Sequence, residues 1–247
     1  MKTQHKAAAV IVFILVLWTG GTSSPLSESV DTEARVRISG RVTDFANRPM
    51  AGASVELKDA RFQNVAETTA ANDGSYALTV PKGNYMALAA VKDYQTQFLE
   101  YWAWNVPANE DLEINPRFDR LEVYAVNAWR PQGGYPSYQV YFRPMSLTRV
   151  TKKVVAAGGL DGFNKLPLLD IAPELGPGDI TVTIDGQTVS ILRVNKVLEA
   201  VGPNQDMVGY VIQTELPKRK PAKSYRFITI TLTDRETGEK GEAGLFF

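Results

Sequence analysis

The chain has 247 residues, with 27 basic and 27 acidic side chains, 44% hydrophobic and 22% charged residues, no Cys and one His. Without cysteine there is no disulfide framework, no thiolate catalysis, no Cys-ligated zinc and no iron–sulfur cluster. The single histidine, His5, stands at the extreme N-terminus, so beyond it Ser-His-Asp and Cys-His mechanisms and His-ligated metals are excluded too. Zero net charge lacks the basic excess of a nucleic-acid binder.

Lys2, His5 and Lys6 precede an uninterrupted apolar run at residues 7–18 (AAAVIVFILVLW), and small residues follow at 19–24. A bilayer-spanning helix needs about 20 apolar residues, so this run reads as the core of an export signal. Residues 1–23 are expected to be a signal peptide, with cleavage after Gly21 or Ser23; a retained anchor and a buried helix are the alternatives. Once it is removed, no stable transmembrane segment is expected and the product is exported: periplasmic, at the cell surface or secreted. Residues 24–34 are polar, contain Pro25 and three acids, and read as a flexible leader.

From Val36 the pattern alternates. Val36, Ile38 and Val42 are spaced for one buried strand face, as are Ala53, Val55 and Leu57, then Tyr76, Leu78 and Val80, then Tyr85, Ala87 and Ala89. Turn residues separate them at residues 44–49, 72–74 and 81–83. Short alternating strands with turn chemistry between them predict a β-sandwich.

Residues 40–57 (GRVTDFANRPMAGASVEL), 72–76 (NDGSY) and 80–85 (VPKGNY) resemble the carboxypeptidase regulatory-like domain. The resemblance covers about residues 35–107. It implies a small transthyretin-like or prealbumin-like β-sandwich, often grouped with carbohydrate-binding-like folds. It also implies a domain that is itself non-catalytic, although the family takes its name from attachment to peptidases.

Residues 108–116, with three acids and two prolines at or beside the ends, are expected to be a linker. A second β-rich unit, 117–247, reads as an immunoglobulin-like sandwich. Its strands are marked by alternation at 121–125, 139–143, 180–184, 209–214 and 225–233, with a closing strand at 243–247. Asp185-Gly186 between two alternating runs is a hairpin signal. Residues 195–201 (NKVLEAV) are compatible with one or two helical turns, and 148–178 reads as a long insertion. The whole chain is therefore expected to be all-β, two sandwiches in tandem.

Two aromatic groups stand out. Tyr94, Phe98, Tyr101, Trp102 and Trp104 form the first; Trp129, Tyr135, Tyr138, Tyr141 and Phe142 form the second. Such rings either fill sandwich cores or stack on sugar faces. The run Tyr101-Trp102-Ala103-Trp104 breaks strict alternation, which points to at least one outward ring at the domain junction, Trp102 or Trp104. The loop 127–136 combines Trp129, Arg130 and Tyr135 with Gly133-Gly134, and Arg130 can offer a bidentate bond to a carboxylate. The candidate ligand-binding residues are thus Tyr101, Trp102, Trp104, Trp129, Arg130 and Tyr135.

Asn72-Asp73-Gly74 offers too few oxygens for calcium and reads as a turn. The acids Glu110, Asp111, Glu113, Glu199, Asp206 and Glu215 are scattered, and a carboxylate-pair glycoside hydrolase is the weaker alternative. The basic run Lys218-Arg219-Lys220 and Lys223, set among prolines, reads as a solvated loop that could meet an anionic polymer or lipid headgroups. No catalytic residue, metal or cofactor is expected. The expected role is a non-catalytic structural or adhesive module at the cell envelope, with a glycan or another envelope protein as partner.

Overall fold

Most of the alternation seen along the first third of the chain becomes antiparallel strands, of which β1 (Arg35–Arg41) and β4 (Ser75–Pro81) bury one face. The computed structural model describes residues 34–247; the expected signal peptide and the leader to residue 33 lie outside it. The first unit contains β1 (Arg35–Arg41), β2 (Ser54–Lys58), β3 (Asn64–Thr69), β4 (Ser75–Pro81), β5 (Gly83–Val91), β6 (Tyr101–Ala108) and β7 (Leu112–Glu113). The second contains β8 (Leu121–Trp129), β9 (Ser137–Ser146), α1 (Leu147–Ala156), α2 (Leu160–Phe163), β10 (Leu168–Leu169), β11 (Ile180–Ile184) and β12 (Gln187–Thr188). It is completed by β13 (Ile191–Gly202), β14 (Gln205–Glu215), β15 (Phe227–Thr233) and β16 (Lys240–Phe246).

The strands form three sheets, and one of them belongs to both units. A three-stranded sheet has the order β4-β1-β7, and a five-stranded sheet is built from β10, β14, β9 and β8 with β13 on β14. The third sheet has eight strands in the order β12-β11-β15-β16-β6-β5-β2-β3. Its continuity rests on β16 lying parallel to β6, with Ala243 opposite Trp102 and Leu245 opposite Trp104. The chain's last strand thereby completes a sheet begun in its first half.

This junction explains the burial of β5 and β6. Tyr101, Ala103, Leu88 and Ala90 enter the core shared with β1, β4 and β7, together with Val36, Ile38, Tyr76 and Leu78. Their neighbours Trp102, Trp104, Ala87 and Ala89 enter the other core, with Val123, Phe142, Val182, Tyr210 and Ile230. A strand inside a sheet covered on both faces has no solvent side, so its apolar residues run on without alternation. Residues 101–104 break alternation for that reason, and not because a ring turns outward.

Three further stretches depart from expectation. Residues 108–116 carry β7, which pairs in parallel with β1; Leu112 and Ile114 are buried, and the Tyr76 hydroxyl donates to the Ile114 carbonyl at 2.8 Å. The segment is an edge strand of the first sandwich. Residues 195–201 are strand, not helix, because β13 pairs with β14 over nearly its whole length; tertiary pairing overrides the local preference of Lys, Leu, Glu and Ala. The insertion at 148–178 contains α1 and α2. Ser146 caps α1 by accepting from the Arg149 amide at 3.2 Å, and Phe163, Leu169 and Ile171 form a small core of their own beneath it.

The expected hairpin at Asp185-Gly186 is present. Both residues have positive φ, 52° and 74°, the backbone of a two-residue turn whose twist matches its strands.

Candidate functional site

The six residues singled out from the sequence separate into two places. Tyr101, Trp102 and Trp104 are buried, with 2%, 5% and 8% of their surfaces exposed. The Trp102 and Trp104 rings stack at 5.2 Å, and Tyr124 stands edge-on to both at 5.4 and 5.1 Å. Phe62, on the β2–β3 turn, closes over the pair at 5.9 and 6.0 Å. The Trp102 indole donates to Glu122 Oε1 at 3.0 Å. These residues form the seam between sheets; the outward ring expected among them is absent.

Beneath this seam lies an acid pair, Glu122 buried and Glu100 half-buried. Glu122 is almost fully buried, and its Oε2 has no partner among the described residues. Burial raises its carboxyl to about 8, with a further contribution from Glu100. Burial likewise raises Glu100 to about 7, helped by Glu56. Arg143 is the counter-charge acting on Glu122 and Lys58 the one acting on Glu100, but the Arg143 guanidinium lies over the Tyr124 ring at 5.1 Å and its Nε sits 3.5 Å from Glu199.

Trp129, Arg130 and Tyr135 are in the second place, the end of the second sandwich where the β8–β9 loop emerges. Trp129 and Tyr135 are 46% and 64% exposed, and Arg130 is exposed beside them. A cleft of ≈ 410 Å³ opens here, bounded by Trp129, Arg130, Tyr138, Tyr225, Arg226 and Phe247. Tyr138 meets the Phe247 ring edge-on at 5.1 Å. The β14–β15 loop, residues 216–226, forms the opposite wall. That wall is pinned at its end: Arg226 and Phe247 exchange backbone hydrogen bonds of 2.8 and 3.0 Å.

Two of the cations at this end are already engaged. Arg226 pairs with Asp185 at 2.6 Å. Lys223 pairs at 2.7 Å with Glu110 from the β6–β7 turn, and the Tyr225 hydroxyl joins them at 3.1 Å. That Lys223 contact and the hydroxyl hold the Glu110 carboxyl below the usual carboxylate range. A second recess of ≈ 390 Å³, bounded by Asp185, Gly186, Gln187, Lys218 and Arg219, flanks the same loop. Tyr225, Arg226 and Phe247 read in the sequence only as strand residues. The proline-bounded basic run before them was the one signal that this loop was special.

The remaining acids are occupied or apart. Asp111 accepts the Arg37 amide at 2.8 Å, Glu113 accepts from Asn115 at 2.9 Å, and Glu215 accepts from Ser190 at 3.0 Å. Glu199 accepts the Tyr141 hydroxyl, and Asp206 lies in the β13–β14 hairpin, opposite Ala200. Asp73 binds the Ser75 amide at 3.0 Å and its hydroxyl at 2.6 Å, as a turn residue does. No Asp or Glu lines the ≈ 410 Å³ cleft.

Fold and site together define an all-β protein of two sandwiches joined through one sheet, with an aromatic and cationic cleft where the β8–β9 and β14–β15 loops meet. Residues 37–116 match the carboxypeptidase regulatory-like domain family; the match includes β7. Comparison with curated proteins finds no match. Among solved structures, the chain is similar to BcpA, the major pilin subunit of Bacillus cereus, at 12% identity over 86% of this chain and 69% of that one, TM-score 0.28. It is also similar to a DUF3823 family protein from Bacteroides ovatus, at 11% identity over 85% and 98%, TM-score 0.27. A third likeness is to the major pilin SpaD from Corynebacterium diphtheriae, at 10% identity over 88% and 65%, TM-score 0.25. No helix among the described residues is long and apolar enough to cross a membrane.

Proposed function

We propose that the protein is an exported, non-catalytic module of the cell envelope that binds a glycan through the cleft beside Trp129. The observation that carries this reading is exposed Trp129 in the wall of the cleft, at the start of the loop that also exposes Tyr135. Elsewhere the large aromatics of that loop's sequence neighbourhood pack inward, so solvent-facing rings here cost apolar exposure without serving the core. Aromatic rings with a few polar groups at a concave surface are the general chemistry of a ligand site. The rigid scaffold supports the reading, because loops held by a continuous sheet present their side chains in a fixed arrangement.

The non-catalytic part rests on the cleft's lining. Glycoside hydrolysis needs two carboxyl groups flanking the bond, and the cleft wall supplies none. The two carboxyls held highest, Glu100 and Glu122, belong to the Trp102–Trp104 seam. Export rests on the apolar run at residues 7–18 behind Lys2 and Lys6. Titration of the purified protein with a panel of neutral and charged polysaccharides, read by tryptophan fluorescence, tests the binding. Saturable change in the native protein and none in Trp129→Ala is the expected result. Silence across the panel refutes a glycan site.

A further inference from the structure

The cleft's charges say more than its rings. Six cations gather at this end of the second sandwich: Arg130, Lys218, Arg219, Lys220, Lys223 and Arg226. Asp185 and Glu110 engage Arg226 and Lys223. The side chains of Arg130, Lys218, Arg219 and Lys220 have no carboxylate partner among the described residues, and all four are exposed. The chain as a whole has zero net charge, so this local excess is a matter of placement and not of composition.

We infer that the ligand is an acidic polysaccharide carrying ring carboxylates, lying across the Trp129 cleft and continuing into the recess at Lys218 and Arg219. The inference rests on the glycan reading above and narrows it to one class. Its first support is the donor balance. Arginine and lysine only donate, and no carboxylate in the cleft wall is available to accept from sugar hydroxyls. The hydroxyls of Tyr138, Ser224 and Tyr225 in the cleft can serve any sugar, but its charged side chains are Arg130 and Arg226, and the recess beyond adds Lys218 and Arg219 while its Asp185 is held by Arg226; the charge complement of such a site is a carboxylate on the sugar ring. Arginine matches a carboxylate fork to fork.

The second support is continuity. The two recesses, ≈ 410 and ≈ 390 Å³, lie against the same 216–226 loop, and the Arg226–Asp185 pair joins their walls. Prolines 217 and 221 stiffen that loop. An extended polymer can stack a ring on Trp129 and place a later carboxylate by Arg219, which a single small anion cannot do. The third support concerns the competing anionic surface. The Trp129 cleft is bounded by aromatic, Arg, Pro, Ser and Ala side chains and lacks the Leu, Ile and Val that would enter a bilayer.

Calorimetric titration with polygalacturonate, a neutral β-glucan and vesicles of anionic phospholipid tests the inference, with Trp129→Ala and Lys218→Gln/Arg219→Gln as variants. We expect polygalacturonate to bind, the glucan to bind at least roughly tenfold more weakly, and added salt to weaken the uronate selectively. Each variant is expected to lose roughly tenfold or more in polygalacturonate affinity while keeping the thermal transition of the parent, since all three side chains are on the surface. Binding of the neutral glucan with no preference for the uronate overturns the acidic class and leaves the glycan reading standing. Binding of neither polymer overturns both. Vesicle binding that Lys218→Gln/Arg219→Gln abolishes, without uronate binding, overturns the inference in favour of a lipid surface. Full uronate affinity in Lys218→Gln/Arg219→Gln also overturns it.

Discussion

Replacing Glu122 by Gln tests the account of the seam where the two cores meet. Glu122 accepts the Trp102 indole at 3.0 Å, also accepts the Glu100 amide, and leaves Oε2 without a partner among the described residues. Its folded-state value of about 8, against an ordinary 4.5, means that the fold favours the protonated acid. Between those two values the folded chain binds more protons than the unfolded one, so stability falls as pH rises. The loss is absent below about 4.5 and complete above about 8. At about 1.4 kcal/mol per pH unit, the loss reaches a few kcal/mol, a large share of an ordinary folding free energy of about 5–15 kcal/mol. Gln keeps an accepting oxygen for Trp102 and cannot ionise. Urea unfolding at pH 5, 7 and 9 is therefore expected to show the two proteins within about 1 kcal/mol at pH 5. At pH 9 the variant should be the more stable by a few kcal/mol. Parallel pH profiles for the two proteins, or a variant less stable at pH 9, would refute the assignment of Glu122 as a neutral buried acid.

Other outcomes follow from the same geometry. At Gly244, a Cβ would lie 2.4 Å from Phe227 Cζ and 3.0 Å from the Tyr101 hydroxyl, so Gly244→Val should lower stability by about 3 kcal/mol; a thermal midpoint unchanged from the parent would contradict the β6–β16 packing. Arg117→Ala removes the guanidinium that binds Glu242, a buried carboxylate also held by Thr231 at 2.8 Å. Because Arg117 is itself partly exposed, the expected cost is about 2 kcal/mol, below that of a fully buried pair, read as a lower urea midpoint with unchanged slope. A fragment ending at residue 116 leaves β6 without β16 and strips the cover from Trp102 and Trp104. It should associate through that open edge, and a monodisperse, folded monomer in gel filtration and light scattering would count against the shared sheet.

Much of the fold was legible because each strand of the first sandwich's outer sheet buries one face. Alternation at Val36-x-Ile38 and Tyr76-x-Leu78-x-Val80 reports that directly, and the Asp185-Gly186 pair specifies its own turn. The motifs at residues 40–57, 72–76 and 80–85 carried the resemblance over about residues 35–107, and the family model matches residues 37–116. The same is true of part of the chemistry: a chain with no cysteine and with His5 as its one histidine has no thiol, and no imidazole beyond residue 5, before any coordinates are known.

Of the residues proposed from the sequence as ligand-binding, Trp129 and Arg130 line the cleft and Tyr135 is exposed on the same loop. Their partners in the cleft were not so proposed. Tyr225 and Phe247 are about a hundred residues away in sequence and reach the cleft only because β15 and β16 pair beside each other. Tyr101, Trp102 and Trp104 went the other way, from candidate surface to seam. Composition and periodicity in a chain record which side chains avoid water, element by element. They hold no record of which distant strand supplies the second cover, and so the parallel pairing of residue 243 with residue 102, the double burial it imposes, and the assembly of the cleft were decided by the tertiary structure alone.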